Sequence, residues 1–172
     1  MRDELSCNWQ QAVSFAARAH DGQLRKDGET PYVAHPMRVA MIVRQIFRVD
    51  DEVALCAALL HDTIEDTTTD YDDLLEAFGK EVADVVVALT KDPRLVEHDR
   101  EKAYDHQLAK ATWQARVVKL ADVYDNYCDT VDDAKRAKVV VKARRAISCA
   151  GDDSRVKAAI LAVDELIQGG RR

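Results

Sequence analysis

The segment Ala54–Asp66, ALCAALLHDTIED, constrains this chain more than any other. Residues 53–60 carry no charge, and the run then meets His61, Asp62, Glu65 and Asp66. A helix apolar on all sides is a core helix, so the other elements must surround it. Three carboxylates and an imidazole at its end are costly to bury unless something pairs with them. A divalent metal is the simplest single partner, because Asp and Glu supply hard oxygens and His a borderline nitrogen. Side chains fan out where a helix frays, so the adjacent His61 and Asp62 can reach one ion. Glu65 and Asp66 lie about one turn further on, where they would hold or protonate a water at the metal. The alternative is a core histidine followed by carboxylates that cap the next helix.

Upstream, residues 7–20 read as an amphipathic helix, with Trp9, Val13, Ala16 and His20 at helical spacing. Residues 21–32 form a polar, turn-rich loop that carries Arg25-Lys26 between two glycines. It is either a solvated loop or a cationic lip, with Arg25 stacked on a base and Lys26 on phosphate. Pro36 favours the first turn of a helix running to Phe47, which sets His35 at the helix boundary as a fixed ligand or a cap. Asp50-Asp51-Glu52 opens the core helix with negative charge at the favourable end of its dipole.

Downstream, a short helix from Asp70 or Tyr71 ends at Phe78-Gly79, with Gly79 as C-cap, and another covers residues 80–91. Residues 94–110 are charged and loosely patterned, which suggests a flexible segment with His98 and His106 on the surface. Strong patterning returns over residues 112–128. There Asp122, Asn126 and Asp129 stand at i, i+4 and i+7 and share a face. A carboxylate in a mostly apolar helix needs a partner, and Asp122 could close a metal site with His35, His61 and Asp62. Lys119, one turn earlier, meets either a phosphate or a neighbouring carboxylate. Two last helices cover residues 131–149 and 152–168. Lys135, Lys138, Lys142 and Arg145 form a stripe on the first, either a solvated face or a holder of distal phosphates.

No segment alternates as a strand should. The chain is expected to be all-α, a compact bundle of about eight or nine helices forming one domain over residues 1–172. A net charge of −6 argues against a nucleic-acid surface. The longest apolar run is too short to cross a bilayer, and residues 1–20 lack a secretory pattern. The cysteines at 7, 56, 128 and 149 form no C-x-x-C pair and read as reduced packing residues of a cytoplasmic protein. The oligomeric state is not fixed by any of these features.

The order His35, His61-Asp62, Asp122 is similar to the H…HD…D signature of HD-domain metal-dependent phosphohydrolases. Neighbouring motifs narrow the likeness: Gln23-x-Arg25-Lys26-x-Gly28-x-x-Pro31-Tyr32-x-x-His35-Pro36, then Ala58-Leu59-Leu60-His61-Asp62-Thr63-x-Glu65-Asp66. Phe78-Gly79, Leu89-Thr90-Lys91 and Val118-Lys119-Leu120-Ala121-Asp122-x-x-x-Asn126 follow in the same order. Together they resemble the hydrolase domain of RelA/SpoT enzymes, and especially the single-domain small alarmone hydrolases.

That resemblance implies an HD-domain fold and a cytoplasmic enzyme of the stringent response. It would remove pyrophosphate from the 3′ position of guanosine tetra- and pentaphosphate (ppGpp and pppGpp), giving GDP or GTP, with Mn²⁺. By the same likeness His35, His61, Asp62 and Asp122 would bind the metal. Glu65 and Asp66 would organise the attacking water and assist proton transfer. Arg25 would pack on the guanine with Lys26 nearby, and Asn126 would face the nucleoside. The residue chemistry agrees: two imidazoles and two carboxylates leave positions open for water and a phosphate oxygen, unlike a closed zinc site. The chain departs from the family at Tyr127-Cys128, where a Leu-Arg or Met-Arg pair is usual, and beyond residue 130. Base and 5′-phosphate recognition are the functions those positions bear on. Nothing resembles a synthetase domain, so the chain is expected not to make the alarmone. An HD-domain phosphohydrolase for another nucleotide or phosphomonoester is one alternative. A non-catalytic nucleotide-sensing module is another, though it would have no use for Glu65-Asp66.

Overall fold

The core helix is the axis of the molecule. In a computed structural model that describes residues 8–169, helix α3 spans Glu52–Leu60 and buries Ala54 and every residue from Cys56 to Leu60. Asp51 caps it, its side chain accepting from the Ala54 N–H at 2.8 Å. Burying leucines such as Leu59 and Leu60 contributes about 1.5–3 kcal/mol each. Cys7, at the start of the expected first helix, lies outside the described residues.

Four helices pack directly on this axis: α1 (Trp9–Ala19), α2 (Ala34–Met41), α5 (Tyr71–Leu89) and α7 (Trp113–Asp129). Helix α4 (Thr63–Asp66) is a single turn after α3, and α6 (Glu97–Lys110), α8 (Asp133–Ala150) and α9 (Lys157–Gly169) complete the order. Among the described residues, β pairing is limited to one bridge between Leu24 and Pro31, so the all-α expectation holds. Helix α7 is the second internal element. It buries Val117, Val118, Leu120, Ala121 and Val123, and it packs on α2, α3, α5, α8 and α9.

Several local expectations need correction. His35 lies inside the first turn of α2 rather than at its boundary, and the helix changes to a π-turn over Ile42–Ile46. The Phe47 N–H there donates to the Ile42 carbonyl at 3.0 Å. The expected break at Gly79 does hold, because its φ of 79° and ψ of 171° lie outside helical space and divide Tyr71–Leu89 into two helical stretches at a kink. Residues 94–110 are not loose, since most of them form α6. That helix buries only Tyr104 and Leu108, one turn apart, so hydrophobic periodicity is weak. Its docking relies on polar bonds: Arg145 pairs with Glu101 and Asp105, and Lys91 with Glu101. His98 and His106 are exposed on it, as expected. Cys56, expected to be reduced, is disulfide-bonded.

Candidate active site

The site forms where α2, the end of α3 and the middle of α7 meet. His61 follows the last residue of α3 and turns its ring back on that helix, with Nδ1–H donating to the Ala58 carbonyl at 2.8 Å. A carbonyl only accepts, so Nδ1 must carry a proton, and Nε2 is the nitrogen that can take a second proton or a metal. That Nε2 is buried and has no hydrogen-bond partner among the described residues. It points at carboxylates, with Asp62 Oδ1 at 3.2 Å and Asp122 Oδ1 at 4.0 Å.

His35 approaches from α2. Its Nε2 stands 3.3 Å from Asp122 Oδ1 and 3.5 Å from Asp62 Oδ2, and its Nδ1 is 2.7 Å from Asp125 Oδ2. The two imidazole rings are 5.1 Å apart. One ligand atom each from His35, His61 and Asp62 fall within 4.8 Å of one another, a grouping able to hold a metal ion. Asp122 joins them through the same oxygen that faces both rings. An orphaned buried nitrogen beside converging nitrogen and carboxylate-oxygen donors fits a divalent cation, which satisfies all of them at once.

Protonation supports the same fit. Burial opposes charge on His35, but hydrogen bonds to Asp122 and Asp125 and the charge of Asp62 outweigh it and raise its pKa to about 9. His61 is also raised, with Asp62 overcoming burial. In the metal-free protein His35 therefore holds a proton at neutral pH. A metal ligand must give that proton up. Calorimetric titration in buffers of different ionisation enthalpy should show proton release near neutral pH that fades as pH rises through about 9. Release that stays constant across that range would contradict protonation of His35 before binding.

Glu65 and Asp66, on α4, border the same space. Tyr32 donates to both Asp62 Oδ2 at 2.6 Å and Asp66 Oδ2 at 2.9 Å, so one hydroxyl spans the inner and outer carboxylates. The loop that carries Tyr32 is tied to α4 by Gln23, whose amide donates to the Asp66 carbonyl at 2.8 Å. Glu65 accepts from the Lys91 N–H at 3.2 Å. Although exposed as a residue, it has its carboxyl crowded at the cavity wall, and that desolvation raises its pKa despite Lys91. The cavity has a volume of about 390 Å³.

Residues 12–163 match the HD domain family. The chain belongs to the HD-domain family. It is homologous to the zebrafish (Danio rerio) guanosine-3′,5′-bis(diphosphate) 3′-pyrophosphohydrolase MESH1, 41% identical over 120 residues that cover 69% of this chain and 67% of MESH1. It is also 40% identical over 118 residues to the bifunctional (p)ppGpp synthase/hydrolase SpoT of Escherichia coli, covering 65% of this chain and 16% of SpoT. Among solved structures, a metazoan ortholog of SpoT, described as hydrolyzing ppGpp and acting in starvation responses, superposes with a TM-score of 0.83. It is 31% identical, and the match covers 94% of each chain.

Several cations line this HD-domain cavity. Arg25 and Lys26 do so, together with Asn126, Lys91, Lys119 and Lys142. Arg25 is not a free arm, however. Its guanidinium lies 5.4 Å from the Tyr32 ring centre, donates to Asn126 Oδ1 at 3.3 Å and pairs with Asp129 at 2.8 Å. Lys26 is exposed. Asn126 donates through its amide to the Asp122 carbonyl at 3.0 Å and to Asp122 Oδ1, and Arg25 meets both Asn126 and Asp129, as the shared face of the three requires. Lys119 chooses the carboxylate of its two sequence options, meeting Asp122 Oδ2 at 2.7 Å. Of the lysine stripe on α8, only Lys142 lines the cavity, whereas Arg145 is committed to α6. Burial and the nearby Lys91 and Lys119 lower the Lys142 pKa.

Two residues of this HD-domain site escape sequence reasoning. Asp125 reads as one more acid on a polar stretch, and Arg38 as a solvated helix residue. Their pairing with each other and with His35 crosses some ninety residues of sequence and is visible only in the fold.

Proposed function

We propose that this chain is a metal-dependent pyrophosphohydrolase of guanosine 3′,5′-bis(diphosphate) and its pentaphosphate, releasing pyrophosphate from the 3′ position to leave GDP or GTP. The observation that carries it is the meeting of His35, His61, Asp62 and Asp122 beside Glu65 and Asp66, in a cavity also lined by Arg25, Lys26 and three further lysines. The relatives named for this activity agree with it.

In this reaction water adds to the phosphorus next to the ribose 3′-oxygen, the bond to that oxygen breaks, and a proton passes to it. His35, His61, Asp62 and Asp122 would hold a Mn²⁺ or similar ion. Such an ion supplies Lewis-acid chemistry, acidifying water and polarising a phosphoryl oxygen. Glu65, with its raised pKa, takes the proton from water and can return it. Asp66, held by Tyr32, orients the water from the other side. Lys119 keeps Asp122 ionised, its charge overcoming the carboxyl's burial. Arg25, Lys26 and Asn126 bind the nucleotide. Arg25, pinned over Tyr32, presents a flat cation for a guanine to stack on. The helices from α1 to α9 contribute to one hydrophobic core, which supports action as one domain. A cytoplasmic setting, a small soluble substrate and a place in the stringent response belong to the same proposal.

Product analysis tests the substrate. Chromatography of guanosine tetraphosphate incubated with the protein and Mn²⁺ should show GDP and pyrophosphate in equal amounts. Orthophosphate release, or faster turnover of another nucleotide in a panel, would move the substrate. Binding without turnover would replace the enzyme with a sensor.

A further inference from the structure

We propose that Asp125, clamped by Arg38, is the positioning residue that fixes His35 as a metal ligand; this rests on the metal-site function proposed above. An imidazole can rotate about its second side-chain torsion and can carry its proton on either nitrogen. Asp125 removes both freedoms. Its carboxylate accepts but does not donate, so at 2.7 Å it fixes a proton on Nδ1 and turns Nε2, the nitrogen whose proton a metal would displace, toward Asp62 and Asp122. His61 achieves the same tautomer through the Ala58 carbonyl. For the His35 ring the Asp125 carboxylate takes the place of that carbonyl.

Asp125 is built for the task. It is 3% exposed and sits three residues after Asp122 on α7, so a ligand and the group that orients another ligand come from one helix. A buried carboxylate needs more than one partner. Arg38 supplies a fork, Nε to Oδ1 at 2.6 Å and Nη2 to Oδ2 at 2.9 Å. Arg38 lies three residues after His35, so α2 provides both partners of Asp125. Arg38 also reaches Asp129 Oδ1 at 3.2 Å, and Asp129 binds Arg25 at 2.8 Å. The metal ligand is thus braced by a chain of pairs that ends at the cavity mouth.

A purely structural ion pair would join α2 to α7 and affect stability alone. A positioning role also changes metal affinity. Mn²⁺ titration by calorimetry should therefore compare the unmodified protein with Asp125→Asn, Arg38→Met, the double variant and His35→Ala, with thermal unfolding recorded for each. Asn at 125 can turn its amide toward Nδ1 and hold the wrong tautomer. Asp125→Asn should weaken Mn²⁺ binding by about 10–100-fold, the range for loss of an outer partner of a metal ligand. Arg38→Met, at a side chain 38% exposed, should weaken it less. The double variant should be no weaker than Asp125→Asn, because Arg38 acts through Asp125. Unchanged affinity in Asp125→Asn, with binding lost in His35→Ala, would overturn the proposal. If Asp125→Asn does not fold, unchanged affinity in Arg38→Met overturns it instead. Should the unmodified protein bind no Mn²⁺, or His35→Ala bind it normally, the metal-site function itself fails and this inference falls with it.

Discussion

His61→Ala is expected to abolish pyrophosphate release and Mn²⁺ retention together. The residue contributes a buried nitrogen with no hydrogen-bond partner among the described residues, and it stands within 4.0 Å of both carboxylates proposed to hold the ion. Losing it removes a ligand rather than an adjustment to one, so the fall in affinity should exceed the roughly 100-fold upper range for outer partners. The structural penalty is modest by comparison. The hydrogen bond to the Ala58 carbonyl is lost, worth about 0.5–1.5 kcal/mol, together with some packing at the end of α3. Circular dichroism should therefore still report a helical protein. Asp62→Ala should share the kinetic phenotype, since Asp62 faces both histidines. Metal-dependent turnover that survives either change at its normal rate would place the chemistry elsewhere.

Glu65→Gln should behave differently, because Glu65 borders the cavity without approaching the histidine nitrogens as Asp62 does. Its raised pKa suits a group that takes and returns a proton. Removing that capacity should lower kcat by about 10²–10⁴-fold, the usual contribution of a positioned acid or base. Mn²⁺ affinity measured by calorimetry should stay within the range of the unmodified protein. Asp66→Asn should fall in the same direction, and the double variant should be far less than multiplicative, because the pair serves one water. A Glu65→Gln enzyme with normal kcat would remove Glu65 from proton transfer, while a collapse in metal affinity would turn it into a ligand.

The proposed ligands His61, Asp62 and Asp122 were legible in the sequence because each breaks a local rule. His61-Asp62 ends a charge-free helix, and Asp122 interrupts an apolar one. Burying such groups demands a partner, and the fold brings these groups together at 3.2–4.0 Å. Arg25 was legible as a residue of the cavity mouth but not as a paired one. Its partner Asp129 lies more than a hundred residues away, and spacing on one helix says nothing about the loop that reaches it. Helix α6 was missed for a related reason. With two buried side chains and several ion pairs it has almost no apolar period to detect. The π-turn after α2 left no compositional trace at all. Asp125 and Arg38 are ordinary surface residues in sequence and become a clamp only when α2 crosses α7.

The most direct measurement of the central claim follows pyrophosphate release from guanosine tetraphosphate by protein stripped with chelator, before and after Mn²⁺ is returned. The account predicts no release from stripped protein, full recovery with Mn²⁺, and no recovery in His61→Ala. Release by the stripped protein at the rate of the loaded one would contradict it.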